Sequence, residues 1–310
     1  MNRVDRIAVC SRSFSQNKLL REELLRRYQN VSFNDTGRSL DGDDLVRFLD
    51  GHEKAIIALE KIDHDILRRL PELRRIAKYG VGLDSINIDA LRQHKVTLGW
   101  QGGVNRRSVS ELVISVAIAL LRHVPIANAE VRGGGWRQHV GGLLSGRTIG
   151  IVGCGFIGKD LVKLLQPWNC KILANDILDF PEFYAEHNVR AMDIDSLLES
   201  SDIVTLHVPL NASTANLLNA KRLDRMKRHS ILINAARGGL VDELHLKKKL
   251  KDGHLAAAAF DVFTNEPPHD LELLSLSNFL ATPHIGGSAQ EVILEMGRSA
   301  ILSLDENDVL

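Results

Sequence analysis

The chain has 310 residues, and because one domain typically holds about 150 residues, this length predicts two compact domains. Apolar residues make up 44% and charged residues 25%, which is ordinary for a globular protein and excludes a disordered, collagen-like or low-complexity chain. Lys and Arg total 39 and Asp and Glu total 39, so no net charge attracts nucleic acid or an anionic membrane. We therefore expect neither as a partner, and any anionic ligand must be bound by individual residues.

Cysteine content and the N-terminal residues predict a cytoplasmic protein. Three cysteines are spread along the chain: Cys10, Cys154 and Cys170. This odd number without a CxxC spacing supports neither a disulfide framework nor a zinc cluster, so no metal is expected. Three charges within the first six residues interrupt any secretory signal, and the apolar stretch 112–121 is far shorter than the about 20 residues that span a bilayer.

The first hundred residues alternate short apolar runs with amphipathic segments. In residues 17–28, for example, four leucines are expected on one face of a helix: Leu19, Leu20, Leu24 and Leu25. Strands that alternate with helices are typical of a parallel sheet covered on both faces, so this region predicts a first α/β unit. The predicted strands are residues 6–10, 31–33, 55–59, 73–78 and 96–100, and the predicted helices are residues 17–28, 43–49, 65–70 and 88–94.

The same alternation resumes from Arg147 and predicts a second doubly wound unit. Before it, a Gly-Gly stretch near residue 101 predicts a hinge, an apolar helix is predicted over 109–121, and the glycine-rich segment 132–146 predicts an arm or loop. The predicted strands are residues 148–152, 171–174, 203–207, 230–234, 257–262 and 278–282, and the predicted helices are residues 156–165, 194–199, 220–226 and 243–251.

Two capping boxes mark predicted helix starts. Ser108 with Glu111 is expected to open the apolar helix, and Ser288 with Glu291 is expected to open a last helix. A run of charge, Lys247–Lys249, lies on a predicted helix, and we expect it to face solvent.

A glycine motif lies between the strand predicted at 148–152 and the helix that follows it. Gly153, Gly155 and Gly158 have the GxGxxG spacing, in which the first glycine makes a tight turn, the second admits a pyrophosphate and the third packs helix on strand. The phosphates then lie at the helix N-terminus, where unpaired N–H groups favour an anion. The motif therefore predicts a dinucleotide site, and a plain tight turn is the alternative.

Asp176 follows the next strand, near the offset of about 20 residues expected for a carboxylate that binds a ribose hydroxyl. The alternative is a solvated loop residue. Ile177 and Leu178 come next, so no adjacent Arg or Lys is present to neutralise a 2′-phosphate. This pattern favours NAD over NADP.

Three more polar residues, Arg237, Glu266 and His284, each follow an apolar strand. Ligands bind at the carboxyl ends of strands in open α/β sheets, so these side chains are expected at one rim. Hydride transfer to a 2-oxo acid needs a fixed cation and an acid near the carbonyl oxygen, roles that Arg237 and His284 fit. A surface arginine, a core histidine and a solvated glutamate are the alternatives.

The segments that carry Arg237, Glu266 and His284, taken with the glycine motif, resemble those of the D-isomer-specific 2-hydroxyacid dehydrogenase family. The resemblance covers nearly the whole chain. It implies that Arg237 binds the carboxylate and carbonyl of the substrate. It also implies that His284 is the proton donor in reduction and the base in oxidation, while Glu266 orients it and favours its charged form.

The resemblance extends to binding residues in both units. Gly80, Val81 and Gly82 resemble the family's glycine loop, whose N–H groups hold the substrate carboxylate; a plain turn is the alternative. For Asp261, placed on the nicotinamide side, the alternative is a strand-end cap. The cofactor-binding residues implied are Gly153, Gly155, Phe156, Ile157, Gly158, Asp176, His207, Val208, Pro209, Ala235, Ala236 and Asp261.

The implied architecture is an α/β protein with two doubly wound parallel-sheet domains. A Rossmann NAD-binding domain, residues 102–284, is inserted into a flavodoxin-like substrate-binding domain, residues 1–101 plus 285–310. The resemblance also implies a homodimer, formed through the helix at 109–121 and the arm at 132–146.

The implied activity is an NAD-dependent oxidoreductase for a small 2-hydroxy or 2-oxo acid of the phosphoglycerate, glycerate or hydroxypyruvate type. The chain resembles phosphoglycerate dehydrogenases in a short form without a regulatory domain. However, residues 57–61 lack the arginine that such enzymes tend to use for phosphate; Lys61 is the possible substitute, and Glu60 beside it would repel phosphate. An NADH-sensing, corepressor-like binding protein is the alternative function.

Overall fold

Two compact units make up the computed structural model, which describes residues 3–309. The first unit comprises the chain through Asn105 and the part from Ser288 onward, and the second unit is Arg106–Gly287. Each unit has its own sheet, and all pairings between the named strands are parallel. The predicted fold class, two doubly wound α/β units, is confirmed.

The sheet of the first unit has five strands in the order β2-β1-β3-β4-β5, the flavodoxin-like order. Its strands are β1 (Arg3–Val9), β2 (Tyr28–Phe33), β3 (Lys54–Ile57), β4 (Arg75–Lys78) and β5 (Thr97–Gly99). Its helices, up to this point of the chain, are α1 (Arg12–Gln16), α2 (Lys18–Leu25), α3 (Gly42–Leu49), α4 (His64–Leu67) and α5 (Ile88–His94).

Apolar side chains cover both faces of this sheet because neighbouring residues of a strand point to opposite sides. In β1 and the residue after it, Ile7 and Val9 belong to one buried cluster, whereas Ala8 and Cys10 belong to another. Each of these four residues is fully buried. Burying one such aliphatic side chain contributes roughly 1.5–3 kcal/mol, so the two-sided pattern accounts for the near-continuous apolar runs in the sequence.

The sheet of the second unit has seven strands. Its strands are β6 (Thr148–Val152), β7 (Lys171–Asn175), β8 (Val189–Ala191), β9 (Ile203–Leu206), β10 (Ile231–Asn234), β11 (Ala257–Phe260) and β12 (Phe279–Ala281). Its helices are α6 (Arg106–Leu121), α7 (Val124–Arg132), α8 (Phe156–Leu165), α9 (Pro181–Glu186), α10 (Ile194–Ser200), α11 (Ala220–Arg225), α12 (Glu243–Lys251) and α13 (Leu271–Leu274).

The strand order of this sheet is β12-β11-β10-β9-β6-β7-β8. The order therefore reverses between β6 and β9, as it does in dinucleotide-binding sheets, where ligands bind at the carboxyl ends of the strands beside the reversal. The glycine motif follows β6 directly, at this point of reversal.

Helix α6 is the buried helix that the sequence predicts at 109–121, and it begins earlier, at Arg106. Its buried side chains include Val109, Val113, Val116 and Leu120, which form one stripe along the helix. No single helix in the described part of the chain is long and apolar enough to cross a membrane. Among the described residues, only α6 and α7 taken together, bent by 63°, meet the length and composition that a span requires.

A last helix, α14 (Gln290–Ser303), returns the chain to the first unit. The residues after it pair with β5 in antiparallel fashion: Asp308 bridges to Gly99, and the N–H of Trp100 donates to the Asn307 carbonyl at 3.0 Å. Arg75 on β4 donates through Nε to the Ser303 carbonyl at 2.7 Å. The C-terminal segment therefore protects the β5 edge of this sheet.

Both predicted capping boxes are wrong. Ser108 lies inside α6, and its hydroxyl donates to the Gly286 carbonyl at 2.6 Å instead of capping the helix. The residue before α14 is Ala289, which has no side-chain acceptor, so Ser288 lies one position too early to cap.

The lysine run matches its prediction only at Lys248, which is exposed. Lys247 forms ion pairs with Asp270 and Glu272, and Lys249 pairs with Asp224. Only 16% and 17% of these two side chains are exposed. These carboxylates lie on α11 and at the start of α13, both of which lie outside this helix in the chain, so a local charge pattern does not reveal the pairs.

Candidate active site

The glycine motif forms a tight turn against the end of a neighbouring strand. Gly153 has a φ of 96°, in the left-handed region that favours glycine, and its N–H donates to the Asn175 carbonyl at 2.8 Å. A Cβ at this position would lie 2.7 Å from the backbone of His207, the residue after β9. At the point where the strand order reverses, the turn after β6 therefore packs against the end of β9 through backbone atoms, with no room for a side chain.

The next two glycines have opposite surroundings. A Cβ at Gly155 would meet nothing within 4 Å, whereas a Cβ at Gly158 would lie 2.3 Å from the carbonyl oxygen of Gly153. Gly155 is the N-terminal cap of α8, and neither a capping side chain nor an acidic residue occupies the first turn of that helix. Open space beside uncapped N–H groups is what a pyrophosphate requires, so the loop fits a dinucleotide.

Asp176 lies beside this loop, at the end of β7. Its Oδ2 accepts the Cys154 N–H at 2.6 Å, and its Oδ1 accepts the Leu178 N–H at 2.9 Å. The carboxylate is thereby oriented from both sides. Ile177 is fully exposed and Leu178 is 61% exposed, so two apolar side chains flank the acidic group.

Two titratable groups of the loop region are neutral because they are buried. Burial raises the pKa of the Cys154 thiol to about 11 and lowers the pKa of the His207 imidazole to about 3. His207 Nε2 is hydrogen-bonded to the Thr205 hydroxyl at 3.0 Å. Neither group is charged near neutral pH. It is the backbone of His207, and not its imidazole, that lies against the glycine turn.

Arg237 follows β10 in a loop that Asn234 holds. The Asn234 amide donates to the Arg237 carbonyl at 2.9 Å and accepts the Ala236 N–H at 3.2 Å. Arg237 Nη1 donates to the Ala236 carbonyl at 2.7 Å. The partly exposed guanidinium is thus carried on a braced turn at the carboxyl end of a central strand.

Glu266 and His284 are in direct contact. His284 Nδ1 lies 2.8 Å from Glu266 Oε2, and the other oxygen, Oε1, accepts the Phe263 N–H at 3.1 Å. The histidine side chain is 49% exposed and the glutamate 40%. Because the carboxylate must accept, Nδ1 carries a proton and Nε2 is the ring nitrogen left for a ligand.

Asp261 shapes the turn that carries His284. Its Oδ1 accepts the Thr282 hydroxyl at 2.6 Å and the Ile285 N–H at 2.8 Å, and its Oδ2 accepts the Gly286 N–H at 2.7 Å. His284 itself has a φ of 55°, a left-handed conformation that is uncommon outside glycine. Both oxygens of Asp261 are used in this turn, which matches the strand-end cap considered from the sequence.

The three polar residues share one edge of the second sheet, because β10, β11 and β12 are neighbours in it. The glycine loop of the first unit, described by itself, follows β4; Gly80 has a φ of 112°. There the Trp100 indole N–H donates to the Val81 carbonyl at 3.2 Å. Sequence reasoning missed Trp100, although an indole at the carboxyl end of a predicted strand was a usable signal.

Strand reversal, glycine turn and oriented acid together define a dinucleotide-binding protein. A family model described as "D-isomer specific 2-hydroxyacid dehydrogenase, NAD binding domain" matches residues 114–286. The hydroxypyruvate reductase of Thermotoga maritima is 34% identical over 84% of this chain and 87% of that protein. The chain belongs to the D-isomer-specific 2-hydroxyacid dehydrogenase family, and its second unit binds a nicotinamide cofactor.

Other similarities agree with this assignment. The D-3-phosphoglycerate dehydrogenase of Archaeoglobus fulgidus is 35% identical over 84% of this chain and 50% of that protein. A solved structure from Polaromonas sp. JS6 66 superimposes with a TM-score of 0.90, at 26% identity over 99% of this chain and 100% of that one. The chain spans about half the length of the D-3-phosphoglycerate dehydrogenases it matches.

Proposed function

We propose that the protein is an NAD-dependent oxidoreductase that interconverts a D-2-hydroxy acid and its 2-oxo acid. The observation that carries this proposal is the 2.8 Å contact between His284 Nδ1 and Glu266 Oε2, in the same sheet that bears the dinucleotide loop. A histidine held by a carboxylate through one nitrogen presents the other nitrogen as an acid or base. Family membership supports the same chemistry.

In this proposal the bound nicotinamide supplies or accepts the hydride. His284 donates its Nε2 proton to the carbonyl oxygen during reduction and removes the hydroxyl proton during oxidation. Glu266 keeps the ring oriented through the contact with Nδ1. A positioned acid of this kind contributes about 10²- to 10⁴-fold to the rate.

Arg237 is proposed to bind the substrate carboxylate and to stabilise charge on the carbonyl oxygen. A guanidinium suits this task because its planar donors match a carboxylate and it does not lose its proton. In the first unit, the N–H groups of the loop Gly80, Val81 and Gly82 are proposed to bind the substrate carboxylate.

We infer that the nicotinamide cofactor is NAD. The Asp176 carboxylate, oriented by two N–H donors, suits the ribose 2′-hydroxyl and would repel a 2′-phosphate. The exposed Ile177 and Leu178 supply no cation to offset that repulsion. The remaining proposed cofactor contacts are the backbone of Phe156 and Ile157 at the pyrophosphate, and His207, Val208, Pro209, Ala235 and Ala236 around the cofactor.

For the substrate, we infer an acid of the glycerate or hydroxypyruvate type more readily than a phosphorylated one. Glu60 is buried, and its Oε2 accepts the Ala58 N–H at 2.6 Å. Lys61 Nζ lies 3.0 Å from Asp63 Oδ2, so its charge is already matched. These contacts leave residues 57–61 poorly suited to a phosphate.

We also infer a homodimer in the cytoplasm. In the glycine-rich segment 132–146, Trp136 is 86% exposed and Val140 is 94% exposed, and a second copy of the chain is the occupant we propose for these side chains. The cytoplasmic location is supported by Cys10, Cys154 and Cys170, all of which are free thiols.

The test of the proposed activity is NADH oxidation by the wild-type protein with glyoxylate, hydroxypyruvate and 3-phosphohydroxypyruvate. We expect turnover with at least one of the first two acids. His284→Ala should lower turnover about 10²- to 10⁴-fold and leave NADH affinity unchanged. Undiminished turnover in this variant would contradict the assignment of His284 as the general acid. If wild-type protein binds NADH but turns over none of the 2-oxo acids, the NADH-sensing, corepressor-like binding protein would be favoured.

A further inference from the structure

The glycine loop of the first unit, residues 80–82, exposes two backbone donors. The loop begins where the Tyr79 N–H donates to the Ile57 carbonyl at 2.8 Å, and it ends where the Leu83 carbonyl accepts the Ile86 N–H at 3.0 Å. Between these anchors, the N–H groups of Val81 and Gly82 donate to no other group in the described part of the chain. Both residues are partly exposed, so these N–H groups are open to a ligand.

One side chain reaches this loop through a hydrogen bond to its backbone. The Trp100 indole Nε1 donates to the Val81 carbonyl at 3.2 Å. Trp100 follows β5, which pairs with β4 in the sheet, and its own N–H donates to the Asn307 carbonyl at 3.0 Å. The ring also packs against the buried cluster on that face of the sheet, so the donor is held in place.

Because a peptide is planar, the hydrogen bond from Trp100 to the Val81 carbonyl also determines the direction of the neighbouring Gly82 N–H. In a planar trans peptide, the carbonyl of one residue and the N–H of the next point in opposite directions. Holding the Val81 carbonyl toward Trp100 therefore points the Gly82 N–H away from the indole. Without that bond the peptide would rotate more freely, because glycine lies on both sides of Val81 and permits many backbone angles.

We propose that Trp100 is a positioning residue for substrate recognition: its indole fixes the peptide between Val81 and Gly82 so that the Gly82 N–H is aimed at the substrate carboxylate. The proposal rests on the proposed function, in which residues 80–82 bind that carboxylate. Trp100 does not itself touch the substrate in this account. Its contribution is to keep a weakly constrained glycine loop in one binding-competent arrangement.

The test is calorimetric binding of oxamate, a planar analogue of a 2-oxo acid, to the full-length protein loaded with NADH. Trp100→Phe keeps an aromatic ring and removes the donor, and Trp168→Phe in the second unit is the matched control. We expect Trp100→Phe to weaken oxamate binding about fivefold to tenfold, the usual effect of one lost hydrogen bond. Trp168→Phe should bind as wild type does, and Trp100→His, which restores a ring N–H, should recover part of the loss.

Three results would overturn the proposal. Trp100→Phe could bind oxamate as tightly as wild type does, or it could lose NADH affinity and thermal stability together with oxamate, which would indicate a general structural role. The third is that wild-type protein loaded with NADH binds no oxamate. The proposed dehydrogenase activity is judged separately. If the protein binds oxamate but shows no turnover, the positioning role of Trp100 can still be supported while the proposed dehydrogenase activity is contradicted.

Discussion

Substituting Gly155 should affect NADH binding without affecting the stability of the fold. A methyl group at this position would meet no protein atom within 4 Å, and the φ of −75° is accessible to alanine. Gly155→Ala should therefore change the free energy of unfolding by less than about 1 kcal/mol. The same methyl group would occupy the space of a pyrophosphate over the α8 N-terminus. Losing one charge-assisted hydrogen bond costs about 1.5–3 kcal/mol, so NADH affinity should fall roughly 10- to 100-fold.

Gly158→Ala is the matched contrast in the same motif. Its methyl group would lie 2.3 Å from the Gly153 carbonyl oxygen, whereas ordinary contact begins at 3.4 Å. Helix α8 would have to move by about 1 Å, and overpacking of this kind costs about 1–3 kcal/mol. A domain of this size loses roughly 2–4 °C in melting temperature per kcal/mol, so this variant should lose both stability and NADH affinity.

Fluorescence titration with NADH and thermal unfolding of the apo protein measure the two effects for both variants. The expected pattern is loss of binding alone in Gly155→Ala and loss of both properties in Gly158→Ala. Wild-type NADH affinity in Gly155→Ala would refute the placement of the pyrophosphate at this loop. A loss of stability in Gly155→Ala equal to that in Gly158→Ala would refute the contrast in packing.

Other expected outcomes concern cofactor choice, acid stability and assembly. Asp176→Ala should reduce the preference for NADH over NADPH in kcat/KM by roughly 10-fold, because the repulsion of the 2′-phosphate is removed; an unchanged ratio would contradict the role of this carboxylate. Hydrogen bonds from Lys249 and His245 lower the pKa of Asp224 from 3.8 to about 2, so this carboxylate stabilises the fold above that range and the benefit is lost as pH falls through it. The melting-temperature difference between wild type and Asp224→Asn should accordingly shrink between pH 4 and pH 2, and a difference that stays constant would argue against the linkage. If the proposed homodimer forms through the glycine-rich segment 132–146, Val140→Glu should shift the sedimenting species from dimer to monomer; a wild-type protein that sediments as a monomer, or a variant with an unchanged profile, would contradict the proposed interface.

The sequence predicts the features that depend on local rules. Strand β6 and helices α5, α8 and α12 have the predicted bounds, because apolar periodicity and the glycine motif mark them directly. Strand β8 and helices α1, α7, α9 and α13 were not predicted: apart from the nine-residue α7 they hold three to six residues, too few for a periodic pattern to appear.

Features that depend on distant partners could not be derived in this way. The Ser108 hydroxyl binds Gly286, which is 178 residues away, so its capping box has no effect. Lys249 pairs with Asp224 across two helices, and the Trp100 indole binds a carbonyl 19 residues earlier. Glu266 and His284 were expected at one rim from their strand ends, but their 2.8 Å contact depends on the turn that Asp261 holds.

The central claim is direct hydride transfer between the nicotinamide and C2 of a small acid. It is tested by one turnover with NADH deuterated at the transferred C4 position and with hydroxypyruvate or glyoxylate as acceptor. The account predicts one deuterium at C2 of the product acid and, with hydroxypyruvate, the D configuration. Deuterium absent from C2, or an L product, would contradict it.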